Sequence, residues 1–431
     1  MIGLFLGSVL GGNLTDYFGR INTMKLCTVM ISIFLLLPAM IIRRLPVEMF
    51  MLKYSIIFVS RVMAQGFEQT SWITGTIYTI EISGPTKRAI CGSFFHFLYS
   101  LGWMTSSLVG LLAPDWVDYS IATAIFTLIL LPALFWIPPS IPHLFQTGKS
   151  SEAMEALEKM TKILDVKIPL DFKTKYSKNN FNVEAKKDQN RHNVLDLLRH
   201  ARPRRMVLMT TSIFICTVMV LYGLAYNAAG LPGNLYVNNS MNGIGHLVAA
   251  AFWILLVPHF GRRTLMAASL FIMSLCCFLS VTLQRVGEIY DLSYSEVFIQ
   301  SGRWVAFGGI SAVLFTVICI YIYFCELFPT EMRGMSIGFI SAISRIGSLL
   351  APELIFIEKE NKNNLFLKSI PMAIFSMLGV VAGVIALHLP ETKDQPMLHS
   401  LEDAEKFYEK NEKRLKNFRK RSIDNEDLLL N

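Results

Sequence analysis

Apolar positions gather into long runs along this chain, and the lengths of those runs predict its elements. A helix rises about 1.5 Å per residue, so about 20 mostly apolar residues cross the hydrocarbon of a bilayer. Runs of that kind are predicted over 1–15, 22–42, 52–80, 90–112, 120–137, 207–226, 236–257, 265–283, 304–325, 336–356 and 370–389. The first starts at Met1 with no basic segment before it and no small-residue cleavage site after it, so it does not read as a signal peptide. Long polar sequence interrupts the pattern only over 143–205 and from 390 onward. The expected organisation is a five-span bundle over 1–142, a loop over 143–206, a six-span bundle over 207–389 and a tail over 390–431.

Composition agrees with a polytopic all-α membrane protein. Of 431 residues, 53% are hydrophobic and 17% charged, against about 25% charged in soluble domains. That balance excludes a disordered chain, a collagen-like repeat and a charged nucleic-acid binder. The seven Cys have no CxxC spacing and lie in or beside apolar runs, which indicates neither a disulfide framework nor a metal site. Of the 40 Lys and Arg, 30 fall on the side of the long loop and tail, 8 fall on the other side, and Arg61 and Arg345 lie within spans. The positive-inside rule therefore makes the loop and tail cytoplasmic, with the excess charge beside the anionic inner leaflet of a bilayer.

The chain also repeats itself. Gly19-Arg20 recurs as Gly261-Arg262 and Arg61 as Arg303, both at an offset of 242, and Glu81-x-x-x-Pro85-Thr86-x-Arg88 recurs as Glu326-x-x-Pro329-Thr330-x-x-Arg333 at 245. Two repeated halves, each a helix bundle, are the architecture of secondary transporters. The same offset leaves the span at 207–226 without a partner, which predicts a further apolar span upstream in the functional protein.

Five motifs in order carry a family resemblance: Gly12-x-x-x-Asp16-x-x-Gly19-Arg20, Glu81 to Arg88, Gly261-Arg262-Arg263, Glu326-Leu327-Phe328-Pro329-Thr330 and Leu389-Pro390-Glu391-Thr392. They resemble the major facilitator superfamily. Within it, Ser344-Arg345-x-Gly347-Ser348-x-x-x-Pro352 and Tyr222-Gly223-Leu224 resemble the solute carrier family of organic cation and organic anion transporters. The resemblance implies a major facilitator fold of two pseudo-symmetric bundles, about eleven of an expected twelve spans, and secondary-active transport of small organic ions at the plasma membrane by alternating access. Sugar is the less expected cargo, because the span at 207–226 lacks the paired glutamines of the sugar branch. Departures are the missing extracellular domain, Tyr17 and Ile21 in place of basic residues, Pro258 where the repeat would place an Asp, and Pro138-Pro139-Ser140-Ile141-Pro142 where the family has a charged run. A non-transporting scaffold or receptor, and an organic cation carrier, are the alternative readings.

Two groups of residues are candidates. Gly12, Asp16, Gly19, Arg20, Arg61, Glu81, Arg88, Gly261, Arg262, Arg263, Glu326 and Arg333 are the gating set. Asp16 is expected to pair with Arg20 or Arg88, Glu81 with Arg88, Glu326 with Arg333, and Arg61 with Asp16 or Glu68, either as latches that break between conformations or as static fasteners. Arg345, His246, Trp72, Tyr222, Tyr226 and Tyr323 are the substrate-binding set. An Arg near mid-span costs about 2.5–3.5 kcal/mol on insertion scales, so Arg345 needs a wet cavity, a substrate, Glu353 or helix-end carbonyls. His246 reads either as a hydrogen-bonded core residue or as a proton relay. The rings, with Tyr78 and Tyr321, can stack on flat organic solutes or serve as packing. By resemblance, Arg at position 345 and the absence of acids at 246 and 345 favour anions or zwitterions.

The polar segments add less. Ala153, Leu157, Met160 and Leu164 predict an amphipathic helix over 151–164. Lys413 to Arg421 is a basic run suited to anionic lipid, and Asp424 to Leu429 has the form of a dileucine signal for a sorting adaptor. Neither a P-loop, an HExxH nor a GxSxG motif occurs, so an ATP-driven pump and an enzyme are not expected; nor is a cofactor or a nucleic-acid partner.

Overall fold

A computed structural model describes residues 1–46, 48–84, 87–164, 198–229, 235–289, 295–330, 332–360, 365–393, 395, 398 and 400–412. Three expectations lie outside the described residues: the pairing of the Arg88 side chain, the basic run from Lys413 to Arg421, and the dileucine signal from Asp424 to Leu429. No strand occurs among the described residues.

The first half contains α1 (Ile2–Phe18), α2 (Arg20–Arg44), α3 (Phe50–Glu81), α4 (Arg88–Leu112), α5 (Trp116–Ile129) and the short α6 (Ala133–Trp136). The loop region adds α7 (Ile141–Gln146) and α8 (Ser150–Leu164). The second half contains α9 (Ala201–Ala229), α10 (Leu235–Leu256), α11 (Arg262–Ile289), α12 (Ser295–Leu327), α13 (Arg333–Glu360) and α14 (Leu365–Leu387). Each apolar run of the sequence coincides with one long helix, except that the run over 120–137 is split into α5 and α6 by a turn ending at Pro132. Proline lacks the N–H that a continuous helix would need there. Among the described residues, eight helical segments are long and apolar enough to cross a membrane; α1, α3 and α4 fall outside that class. α1 has 17 residues, while α3 and α4 bury polar groups such as Gln69, Thr74, Ser93 and His96 that lower their hydropathy.

Local chemistry sets several boundaries. Asp115 caps α5 by accepting a hydrogen bond from the Val117 N–H (3.4 Å). Gly19, at φ 83°, turns the chain between α1 and α2 in the left-handed region that a side chain rarely adopts. α8 buries Ala153 and Ala156 against Leu144 of α7, on the apolar face its spacing predicts.

The helices form two bundles related by the repeat. In the first, α1 packs on α3, and α2 on α3 and α5; in the second, α10 packs on α12, and α11 on α12 and α14. The bundles meet along α1–α13 and α4–α10, two contacts that the repeat interchanges. α9 packs on α13 and α14. Glycine permits the closest approaches. A side-chain carbon at Gly3, Gly7 or Gly11 would collide with Val62, Gly66 or Thr70 of α3, and one at Gly12 would lie 2.5 Å from the Gly334 carbonyl of α13. The spacing of Gly3, Gly7 and Gly11 places them on one helix face, as in small-residue seams of membrane helices.

Candidate functional site

At the loop-side end of the first bundle, Glu81 closes α3 with a buried carboxylate. Arg20, which opens α2, donates to it through Nε (3.0 Å) and Nη2 (2.8 Å), and Ser140 donates through Oγ (2.5 Å). One turn earlier on α3, the Tyr78 hydroxyl donates to the Pro138 carbonyl (2.7 Å). The ring of His143 donates from Nε2 to the Asp16 carbonyl (3.1 Å), which fixes its tautomer because a carbonyl can only accept. Burial and the nearby Arg20 charge push His143 below its ordinary value of 6.5.

The second bundle builds the same arrangement. Arg262 pairs with Glu326 (3.4 Å), the Thr392 hydroxyl donates to Glu326 (2.6 Å), and the Tyr323 hydroxyl donates to the Pro390 carbonyl (2.8 Å). Lys393 donates to the Pro258 carbonyl (2.8 Å), the position that Asp16 occupies in the first copy. Glu391 accepts from the Arg262 N–H (2.8 Å) and so caps α11, lying where a side chain at Gly261 would stand. Arg263 reaches the Leu389 carbonyl (3.5 Å).

Three contacts cross between the bundles at this end. Asp16 pairs with Arg20 (3.3 Å) and accepts from the Met335 N–H at the start of α13 (3.2 Å). Arg333, fully buried, pairs with Glu81 (3.6 Å) across the interface. The Gly12 to Gly334 approach lies beside them.

These positions correct several expected pairings. Arg333 pairs with Glu81 of the other bundle and not with Glu326, because Arg262 and Thr392 already occupy that carboxylate. Glu81 pairs with Arg20 and Arg333, and its expected pairing with Arg88 falls on a side chain outside the described residues. Arg61 donates to Ser120 of α5 (2.8 Å) and forms no ion pair with Asp16 or Glu68. Asp16 sits at the Glu81 end of the bundle, 20 residues of α3 or about 30 Å from Arg61. Tyr323, fully buried, donates to the Pro390 carbonyl at the loop end, which the sequence did not anticipate.

Midway along the helices a second cluster spans the bundles. Arg345 of α13 is 6% exposed, and its guanidinium donates to Gln69 Oε1 on α3 (3.0 Å), Ser341 Oγ (3.4 Å) and the Tyr222 hydroxyl on α9 (3.5 Å). Ser341 also receives bonds from Gln69 (3.2 Å) and from Ser8 of α1 (3.2 Å). No carboxylate among the described residues pairs with Arg345, and Glu353 is exposed instead of facing it. Trp72 packs edge-on against Tyr99 (4.5 Å), His96 (5.1 Å) and Tyr321 (5.8 Å). Tyr99 and His96 both touch the ring of His246. Tyr226 lies 6.0 Å from Tyr222 but is 40% exposed. His246 is buried, and among the described residues neither of its ring nitrogens has a hydrogen-bond partner. An apolar groove of about 410 Å³, lined by Phe34, Leu37, Pro38, Ile56 and Val59, lies between α2 and α3 and includes none of the candidate residues.

Sequence reasoning missed Gln69, His96 and Tyr99 at the centre and Tyr78, Ser140 and Thr392 at the loop end as parts of these arrangements. His96 and Gln69 carried the signal that singled out Arg345, a polar side chain inside an apolar span. Pro138-Pro139-Ser140 and Pro390-Glu391-Thr392 align as the two copies of one lock, a match hidden by comparing each with a family motif separately.

Known proteins place this geometry. The organic cation transporter-like protein of Drosophila melanogaster is 26% identical over 95% of this chain and 69% of its own length. The human organic cation/carnitine transporter 2 is 26% identical over 92% of this chain and 66% of its own length. Among solved structures, the proton:xylose symporter XylE bound to 6-bromo-6-deoxy-D-glucose superposes with a TM-score of 0.72 at 18% identity, covering 94% of this chain and 87% of that chain. The inward-open xylose transporter XylE from E. coli superposes with a TM-score of 0.62, covering 94% and 86%. These two similarities establish the fold. The sugar (and other) transporter family matches residues 1–403, and with duplicated bundles and duplicated loop-end locks the chain belongs to that family of integral membrane transporters in the major facilitator superfamily.

Proposed function

We propose that this transporter carries small organic ions, anions or zwitterions in preference to cations, by alternating access between bundles 1–142 and 207–389. The observation that carries the reading is the Arg345 guanidinium, buried between the bundles on the neutral acceptors Gln69, Ser341 and Tyr222. A positive charge with no counter-ion in a low-dielectric centre attracts an anion and repels a bound cation. Trp72, Tyr99, Tyr222 and Tyr321 supply rings for a flat organic body. Arg20, Glu81, Asp16 and Arg333 then act as the groups that part when the loop end opens, with Arg262, Glu326 and Thr392 holding the second bundle together.

The test is uptake into proteoliposomes of an aromatic carboxylate and of a tetraalkylammonium ion. Carboxylate uptake that Arg345→Asp abolishes is the expected result, and robust ammonium uptake by the unmutated chain overturns the preference. That second outcome is the organic cation reading, which the names of the relatives and the carboxylate of Glu68 on α3 favour. The same proposal places the long loop and the tail in the cytoplasm of a plasma-membrane protein, and a tag at residue 180 labelled from outside intact cells would refute that orientation.

A further inference from the structure

His96 of α4 and His246 of α10 face each other across the contact between the bundles, ring centroids 5.8 Å apart and planes at 85°. They are 0% and 2% exposed. Among the described residues, none of their four ring nitrogens has a hydrogen-bond partner, although buried polar groups are almost always bonded. The surrounding groups are Trp72 of α3, Tyr99 of α4 and Tyr321 of α12, all in ring contact with His96 or His246. The charges at this level are Glu68 of α3 and Arg345 of α13, which act electrostatically on Tyr99. Glu68 is engaged by Gln65 (2.6 Å) and Arg345 by Gln69, so neither pairs with an imidazole. Tyr222 of α9, next to Arg345, is the remaining ionisable group facing the cluster.

We propose that His96 and His246 form a proton-binding site straddling the two bundles, loaded when the α4–α10 contact opens and emptied when it closes, so that protons are coupled to the conformational cycle. The inference rests on the alternating-access reading and adds the coupling ion to it. With the contact closed, an imidazolium would sit among apolar rings with no carboxylate beside it, and a second one would repel it at close range. With the contact open, water reaches both rings. The free lone pair of each neutral imidazole then takes a proton from solvent, and closure returns that proton to solvent. Acid therefore favours the open contact: each proton gained on opening raises the open-to-closed ratio by up to about tenfold per pH unit, and two protons by up to about a hundredfold. The other polar links across α4–α10 do not titrate in this range. They are Trp103 to Asn239 (3.0 Å) and Asn239 to Ser107 (2.7 Å).

The experiment uses the full chain in lipid nanodiscs with its seven cysteines replaced by alanine and spin labels introduced through Leu112→Cys and Val237→Cys. Both label positions are exposed, one on α4 and one on α10. The distance distribution is measured from about pH 8.5 to about pH 5, the range that a histidine switch spans. The long-distance fraction is expected to rise as pH falls, to respond less steeply in His96→Gln and in His246→Gln, and to stop responding in the double variant. His96→Asn and His246→Asn provide a second set should either Gln variant fail to fold. A native chain whose distances ignore pH overturns the proposal without any variant, as does an unchanged response in the double variant. Uptake of the carboxylate and ammonium probes by the same preparations separates the two readings. A histidine-dependent distance change without uptake retains the proton site and removes the transport reading, and uptake without the distance change does the reverse.

Discussion

Glu81 is held by Arg20, Ser140 and Arg333 at once, and its side chain is 1% exposed, so its charge depends entirely on those partners. Removing one member of a buried ion pair strands the other, at a cost of about 3–5 kcal/mol. Glu81→Gln is therefore expected to lower the thermal midpoint of the detergent-purified protein well beyond Tyr78→Phe. The latter removes one hydrogen bond and leaves the Pro138 carbonyl unsatisfied, at about 1–3 kcal/mol. A fluorescence melt of both variants checks the order, and equal midpoints would mean that water replaces Glu81 in the lock. His143 contributes with a definite sign. Its neutral ring donates to the Asp16 carbonyl, and its folded value lies below 6.5. The folded state thus binds fewer protons than the unfolded one just below that pH, so this contribution is present above about 6.5 and is lost as pH falls toward the lowered value. Protection factors of α7 amides, that is exchange corrected for the intrinsic pH dependence, should fall on mild acidification in the native chain, and His143→Gln should flatten that dependence.

Helix α1 carries two seams of small residues on different faces, one toward α3 and one toward α13. The first lies inside a bundle and the second between bundles, so equal chemistry serves two purposes. Filling the second seam with Gly12→Leu pushes a side chain into the Gly334 carbonyl and should part α1 from α13 without dissolving the first bundle. Disulfide trapping between cysteines placed at Ser8 and Ser341, whose hydroxyls lie 3.2 Å apart, reports on this contact. Its yield should drop several-fold in Gly12→Leu, and an undiminished yield would show that α13 shifts to accommodate the side chain. Helix 401–412 adds a further contact at the loop end, with the Tyr408 hydroxyl donating to the Leu327 carbonyl at the end of α12 (2.8 Å) and Glu405 pairing with His200 (2.9 Å). Burial pushes the Tyr408 phenol well above its ordinary value, so it remains a donor at any physiological pH.

Across the whole molecule, the repeat relates Asp16 to Pro258, and the two differ in what they offer the facing helix. Asp16 caps α13, whereas its counterpart Pro258 has no carboxylate to offer α4. Under the alternating-access proposal, closure of the loop end is expected to lean on Asp16 and on the Glu81 to Arg333 pair. Asp16→Ala is expected to raise the reaction rate of a Met335→Cys thiol with a water-soluble maleimide several-fold, and Pro258→Asp, which would supply the second cap, to lower it. Rates unchanged in both variants would assign closure to helix packing alone.

How much of this was legible in the sequence follows from the physics each feature depends on. The positions of the long helices, the all-α class and the two-fold repeat came directly from the sequence, because long apolar runs form helices and a duplicated chain repeats its turn residues at a fixed offset. Arg345 was singled out by the cost of a charge among apolar neighbours, and that cost is local to its own helix. Its partners were not. Gln69 stands 276 residues away, and only the crossing of α3 and α13 brings the two together. Asp16 and Arg20, one turn apart, pair as expected, whereas Glu326 and Arg333 do not: Arg262 and Thr392 reach Glu326 and leave Arg333 to Glu81 on the other bundle. Tyr323 and Tyr321 have the same side chain two residues apart, and helical rotation sends one to the Pro390 carbonyl and the other to Trp72. Periodicity tells which residues a helix buries, and only the packing of one helix on another decides what each buried group meets.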